Sequence, residues 1–419
     1  MLILKRESLC ARLDAAAYHR RMNQISSVDV EGTTHTYSIR RNPAMVGLRC
    51  ISCKREYPVQ DLSQGCPSCA DQGTPSSLEV VYSKSPTSLF GASSGYRWGA
   101  WLPYTQGVSL AEGNTPCIDL SRLARQLGVR RLTAKHEGMN PTGSHKDRMS
   151  AQGISRALDV GAPSIVLASS GNAAVSAAAY CAVAGLRCEV ATYRDMPEPY
   201  VRALHRFGAR RVVFERSMDR WEHVRQKVER EGAFALTNYS VPAVGSPVFG
   251  VEGYRAVALE CVTEGYLPDH ILVPTSRGDL LWGVYSGLRD LLSAGLIQHM
   301  PRLWAVEPFP RLSLVLAGAR LQSEFAGQTV QFSIAGSTVT LQQKLAVEHS
   351  GGGAVAVNDL DASKGLSALA DHGLWVELCA GSCVAALSTL RRKGQVLPSD
   401  HALLLLTAKG DRDTFDFIG

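Results

Sequence analysis

From residue 146 onward the chain alternates short apolar runs with longer helix-forming ones, and that rhythm leaves few architectures open. A helix from Lys146 to about Asp159, ended by Gly161, precedes a strand at Ser164–Ala168 and an alanine-rich helix at Asn172–Ala184. Cys188–Tyr193 and Arg211–Phe214 read as strands, with Pro199–Phe207 and a segment through Arg230 as helices. The pattern resumes with a strand at His270–Val273, a helix from about Leu280 to Leu292 and a strand at Leu303–Val306, and Ala402–Leu406 closes the series. Alternation of this kind predicts a parallel, doubly wound α/β sheet with helices on both faces. Such sheets bind ligands at the carboxyl ends of their strands.

A chain of 419 residues can bury sizeable cores in two or three units. A hydrophobic share of 45% and a charged share of 20% are ordinary globular values. The net charge of +6 comes without a concentrated Lys/Arg stripe, so the sequence makes no case for nucleic acid. Long apolar spans are missing, which argues against a membrane helix. The opening MLILKRES has four apolar positions before its first charge, too few for a signal-peptide core. Residues 1–45 carry no clear pattern, and the expected compartment is the cytoplasm.

Cysteine use divides in two. Cys50, Cys53, Cys66 and Cys69 form two C-x-x-C pairs, with Pro67 inside the second. Four thiolates at this spacing suit tetrahedral zinc, and so short a span cannot otherwise build a core. The other seven cysteines are scattered, mostly in apolar segments, as in a reducing compartment. A zinc ribbon at about 46–72 is expected. Its four ligands leave no open position, so the metal would be structural.

Three further segments carry chemistry. In KHEGMNPTGSHKDR, Lys135 to Arg148, Lys146 follows a Pro-Thr-Gly-Ser turn and opens a helix beside Arg148. The helix terminus and the neighbouring charge both favour a neutral, nucleophilic amine suited to a Schiff base. At Ser169-Ser170-Gly171-Asn172 a strand breaks into a helix, offering backbone N–H groups to an anion such as a substrate carboxylate. The third is Gly113–Pro116, GNTP, preceded by Glu112.

Over roughly residues 90–419 these segments, in this order, resemble the fold-type-II pyridoxal-phosphate enzymes, and among them the threonine synthases. The resemblance implies two doubly wound domains with the cofactor between them, a large one at 90–149 and 246–419 and a small one at 150–245. Some threonine synthases are similar in having an N-terminal zinc ribbon as well. Lys146 would carry pyridoxal 5'-phosphate and shuttle protons once released. Asn172 matches the residue bonded to the ring hydroxyl, and Thr407 the residue facing the pyridine nitrogen. The family's phosphate loop, V-P-V-G-N-G-G-N, corresponds to VPTSRGDLLWG, assigning Thr275, Ser276, Arg277 and Gly278 to the phosphate; Asp279 would repel it unless turned away. A threonine hydroxyl does not hold a full proton on the ring nitrogen, so elimination or replacement is favoured over transamination.

The resemblance implies a small activated amino acid as substrate, contacted by Ser169, Ser170, Gly171, Asn172, Asn238 and Ser240, and a homodimer. Conversion of O-phosphohomoserine and water to threonine and phosphate is the first expectation. In the family's N-S-x-N-P-x-R-x-E-G segment Glu252 and Gly253 match, but the arginine position is Gly250, and Arg255 is the nearby candidate to replace it. His145 stands where the family has phenylalanine; packing is favoured over an acid–base role. The alternatives are a β-eliminating or β-replacing relative, such as a serine/threonine deaminase or a specialised amino-acid synthase, and a non-catalytic chain whose ribbon is a binding module.

Overall fold

The computed structural model describes residues 37–89 and 97–413; the expectation for most of the segment 1–45 therefore lies outside the described residues. The chain enters through β1 (Arg40–Arg41), β2 (Met45–Cys50), β3 (Glu56–Tyr57), the short helix α1 (Pro67–Asp71) and β4 (Leu78–Tyr82). β3, β2 and β4 form a three-stranded antiparallel sheet. Its apolar side chains, Leu48, Leu78 and Val80, are too few for a core of their own and pack with Val248 and Phe249 from later in the chain. Polar ties add to this contact: Arg156 bonds Asp61 at 2.9 Å, Tyr82 bonds Glu252 at 3.0 Å and Arg289 bonds Glu79 at 2.6 Å. β5 (Tyr104–Gln106) pairs with β1.

Next come β6 (Cys117–Asp119), α2 (Ser121–Leu127), β7 (Arg131–His136) and α3 (Lys146–Asp159). The strand–helix alternation then runs through β8 (Ser164–Ala168), α4 (Asn172–Ala184), β9 (Arg187–Tyr193), α5 (Glu198–Arg206), β10 (Arg210–Phe214), α6 (Ser217–Glu231) and β11 (Phe234–Ala235). These strands make a parallel sheet in the order β10-β9-β8-β11. Helix α4 is apolar all round and buried from Ala174 to Cys181, as an interior helix must be. Gly185, at φ 68°, takes the left-handed conformation that ends it.

The second half holds α7 (Val248–Glu252), α8 (Arg255–Thr263), β12 (His270–Pro274), α9 (Asp279–Ser293), β13 (Arg302–Glu307), α10 (Leu312–Leu316), α11 (Leu341–His349), β14 (Gly353–Ala356), α12 (Asp359–Ala370), α13 (Leu378–Arg392) and β15 (His401–Leu406). With β6 and β7 they build a six-stranded sheet, β14-β13-β12-β15-β7-β6, in which only β6 runs antiparallel. The last strand in sequence is thus central. All six residues of β15 are buried; Leu403 and Leu405 join one core, while Ala402, Leu404 and Leu406 join another. A continuous apolar run is what a parallel strand covered on both faces requires.

The expected elements agree with those observed to within a residue or two at their ends. Strands β6, β7, β11 and β14 and helices α2, α7, α8 and α10 to α13 were not anticipated. β7 reads RLTAKH, which alone looks too polar for an interior strand; Lys135 is buried there because Glu260, at 3.0 Å, offsets its charge.

Candidate active site

The carboxyl ends of β8, β12 and β15 open on one cavity of about 490 Å³, whose walls include Lys146, Ser169–Asn172, Thr275–Gly278 and Thr407. Its position follows the rule for parallel sheets, and its volume lies within the usual range for ligand sites.

Lys146 is the first residue of α3, and its Nζ lies 3.3 Å from the Tyr254 hydroxyl. Burial, aided by the charge of Arg277, pushes this amine below the usual lysine range, against the pull of Asp279 and Glu377. The turn before it is fastened by Asp147, which accepts from the Thr142 backbone at 2.6 Å and from the Thr142 hydroxyl at 2.5 Å. Gly143, at φ 85°, supplies the left-handed step of that turn.

Arg148 does not act on Lys146 as the sequence suggested. Its guanidinium turns into a buried network, bonding Glu137 at 2.7 and 2.8 Å, Glu260 at 2.7 and 2.8 Å, and the Thr115 hydroxyl at 3.1 Å. Burial alone would raise the Glu260 carboxyl; Arg148 and Lys135 hold it down at about 2. The GNTP segment meets the same network: the Asn114 N–H bonds Glu260 at 2.9 Å, and the Gly113 N–H bonds Asn140 at 2.9 Å. Two of the three motifs are therefore joined through charge buried behind the lysine turn.

Opposite the lysine, Thr407 and Asn172 converge on a residue that sequence reasoning missed. Glu377, just before α13, accepts from the Thr407 hydroxyl at 2.7 Å, Ser333 at 2.8 Å and Asn172 Nδ2 at 3.2 Å. Burial raises its carboxyl, with those hydrogen bonds and Lys146 opposing. A lone glutamate in WVELCAG carries no motif; only the folded chain brings it to the other two. Arg412 also reaches Asn172, bonding Oδ1 at 3.1 Å. His145 is buried, with its ring 5.5 Å from that of Tyr254 and Nδ1 3.1 Å from the Thr407 carbonyl. Burial and the Lys146 charge keep it neutral, well below the usual histidine range, and this favours its packing role.

The loop after β12 presents backbone Ser276–Gly278 at the start of the fifteen-residue helix α9. The Thr275 hydroxyl is occupied by the Val273 carbonyl, at 2.6 Å. Gly278 sits at φ 84°, and a Cβ there would come within 2.1 Å of Gln343, so this glycine is required. The Asp279 carboxylate is drawn to Ser246, at 2.7 and 3.1 Å, and to Gln342, at 2.6 Å.

The remaining expected contacts fare unequally. Ser169, Ser170, Gly171 and Asn172 all line the cavity, as does Asn238. Asn238 also braces its own loop by accepting from the Val244 and Gly245 N–H groups at 3.0 and 3.2 Å. Ser240 is buried but is not part of the cavity wall. Arg255 does not replace the missing family arginine: it is buried between Glu252 and Asp290, away from the cavity wall. Gly250 is packed against α3, where a Cβ would meet Met149 Cγ at 3.0 Å.

The four cysteines of the small sheet form a separate cluster. Their sulfurs lie within 4.8 Å of one another, with Cys50–Cys69 at 3.6 Å and Cys53–Cys66 at 3.7 Å. Tetrahedral zinc–thiolate bonds of about 2.3 Å place sulfurs roughly 3.8 Å apart, so the donor set fits that metal. Among the described residues no helix is long and apolar enough to cross a membrane.

Comparison with known proteins agrees with the geometry. The family model described as pyridoxal-phosphate dependent enzyme matches residues 108–408. The threonine synthase of Methanocaldococcus jannaschii is 28% identical over 391 residues, covering 87% of this chain and 92% of the relative. That of Methanosarcina acetivorans is 28% identical over 385 residues, with 87% and 91% covered. A pyridoxal 5'-phosphate-dependent aspartate racemase superposes with a TM-score of 0.61 at 21% identity, over 72% of this chain and 91% of that one, a likeness of fold. The reading as a non-catalytic binding module does not survive these matches. With its carboxyl-end cavity, the lysine that lines it and this family match, the chain belongs to the pyridoxal-phosphate dependent enzymes, as a threonine-synthase-like lyase of fold type II.

Proposed function

We propose that Lys146 carries the cofactor and that the enzyme eliminates or replaces a leaving group on a small amino acid, with O-phosphohomoserine and water giving threonine and phosphate as the first candidate reaction. The observation that carries this reading is the half-buried Lys146 amine, pushed below the usual lysine range, in one cavity with Asn172 and Thr407. Bound there, pyridoxal phosphate would supply an electron sink for the substrate's α-carbon. Backbone N–H groups of Ser276–Gly278 and the α9 N-terminus suit its phosphate, with Asp279 drawn aside by Ser246 and Gln342. Asn172 and Thr407 suit the ring's polar atoms. Thr407, whose hydroxyl donates to Glu377 at 2.7 Å, would face a ring nitrogen as a neutral group, without placing a full charge there.

The Ser169–Asn172 turn suits the substrate carboxylate. Lys146, beside Tyr254, is the base that takes a proton from the α-carbon and returns it to a neighbouring carbon. A structural zinc on Cys50, Cys53, Cys66 and Cys69 completes the proposal and calls for a reducing compartment.

The closed surroundings of Gly250 favour a second reading, in which the leaving group is not phosphate. Measuring phosphate and threonine together from O-phosphohomoserine decides between them. Equal yields support the first reading; a cofactor-loaded protein that releases neither sinks it and turns attention to serine, threonine and O-acetylated amino acids.

A further inference from the structure

Two arginines in the cavity form no ion pair among the described residues. Arg220, on α6, is only 9% exposed, and Arg277 follows β12. Arginine remains charged at any physiological pH, so Arg220 buries a full cation and Arg277 holds a half-buried one. Among the described residues neither forms an ion pair. Arg220 bonds neutral oxygens instead: Tyr193 at 2.6 Å, and Ser170 and Ser217 at 3.3 Å. Its Nε has no hydrogen-bond partner among the described residues. Arg277 bonds Thr338 at 3.3 Å and lies over the Trp221 ring, with the guanidinium 5.0 Å from the ring centroid. Asp279 attracts it through space, but that carboxylate is turned to Ser246 and Gln342 and forms no ion pair with it among the described residues. The two guanidinium groups are also close enough to disfavour one another. Two neighbouring cations with an orphaned donor, facing a cavity, favour the entry of an anion.

We infer that Arg220 and Arg277 together receive a distal phosphate on the amino-acid substrate. This rests on the proposed lyase reading and deepens it. The pair spans the cavity from helix α6 of the four-stranded sheet to the loop after β12, and Arg220 touches the Ser170 side chain of the turn assigned to the α-carboxylate. An amino acid held at that turn would extend its side chain toward both guanidinium forks. The arrangement supplies the anion clamp that Gly250 and Arg255 do not.

Calorimetric titration of cofactor-loaded protein with O-phospho-L-homoserine and with L-homoserine tests this. The wild type should prefer the phosphorylated ligand. In Arg220→Gln and in Arg277→Gln that preference should fall by about 10–100-fold, as loss of charge-assisted hydrogen bonds predicts. Arg220→Lys, which keeps the charge without the fork, should recover part of it and guards against a folding defect. A preference unchanged in both glutamine variants overturns the inference, as does its absence in the wild type. Preference lost in proportion to cofactor lost on dialysis also overturns it, assigning the pair to the cofactor's phosphate. Phosphate release is read separately: a wild type that binds through the pair but makes no threonine sinks the threonine-forming reaction and leaves the clamp standing.

Discussion

The cysteine cluster and the cofactor cavity were built by opposite routes. Every sulfur in the cluster comes from the stretch between Cys50 and Cys69, and the spacing of the pairs is itself the site. The cavity instead gathers Lys146, the turn at Ser169–Asn172, the loop at Thr275–Gly278, Glu377 and Thr407 from across the chain. A local site is legible because residue type and spacing suffice for its geometry. A dispersed one is legible only where its contributors sit in loops with a recognisable turn chemistry. The two also depend on the body differently. The small sheet borrows Val248 and Phe249 to cover its apolar face, whereas the cavity takes Met149, Leu280 and Leu281 of an extended core into its wall.

If the cluster is a metal-built unit, losing its ion should have the largest effect of all. Cys66→Ser should reduce bound zinc from about one per chain to none and remove about 10 kcal/mol of local folding free energy, read by metal analysis and hydrogen exchange across residues 45–82. Equal metal content in the variant would break the comparison. On the cavity side, Lys146→Ala should cut turnover by about 10³-fold or more, and borohydride should no longer fix the cofactor to the chain. A cofactor still fixed in that variant would remove the central assignment.

The network behind the lysine turn sharpens the contrast, because it is held by charge rather than metal. Glu260→Gln leaves Arg148 and Lys135 short of a counter-charge and should cost about 3–5 kcal/mol at neutral pH. The folded carboxyl, at about 2, lies below its ordinary 4.5, so the unfolded chain takes up the proton first on acidification. The Glu260 contribution is therefore complete above 4.5 and lost as pH falls toward 2, and the gap between wild type and variant should close across that window in denaturant titrations. A gap independent of pH would show that packing, not ionisation, gives Glu260 its role. The smallest effect concerns Gly250. Introducing the family's arginine there, Gly250→Arg, should overpack α3 at a cost of about 1–3 kcal/mol without improving affinity for a phosphorylated amino acid; a gain in affinity would show that the position reaches the cavity.

Most strands and helices after Lys146 were legible because buried parallel strands are short, continuous apolar runs and helix ends carry glycine. The polar strand β7 was not, since Lys135 and His136 look solvent-facing until Glu260 and the neighbouring strands cover them. Lys146, the Ser169–Asn172 turn and the cysteines could be singled out from local chemistry. Glu377 and Arg220 could not, because nothing adjacent to them in sequence announces a partner. The expected help from Arg148 was misjudged for the same reason: sequence proximity to Lys146 says nothing about which way a helical side chain turns, and Glu137 and Glu260 claim it.

Taken by itself, the sequence determined the parallel α/β class, the lysine turn and the four-thiol cluster, all consequences of periodicity or of contacts within a few residues. Only the tertiary structure decided that the last strand sits at the centre of the large sheet, that Thr407 and Asn172 share the carboxylate of Glu377, and that two arginines face one cavity with no ion pair among the described residues. Strand order and the pairing of buried charge depend on long-range packing, where the free energy of covering both faces of a strand, or of desolvating a cation, is settled by residues far away in the chain.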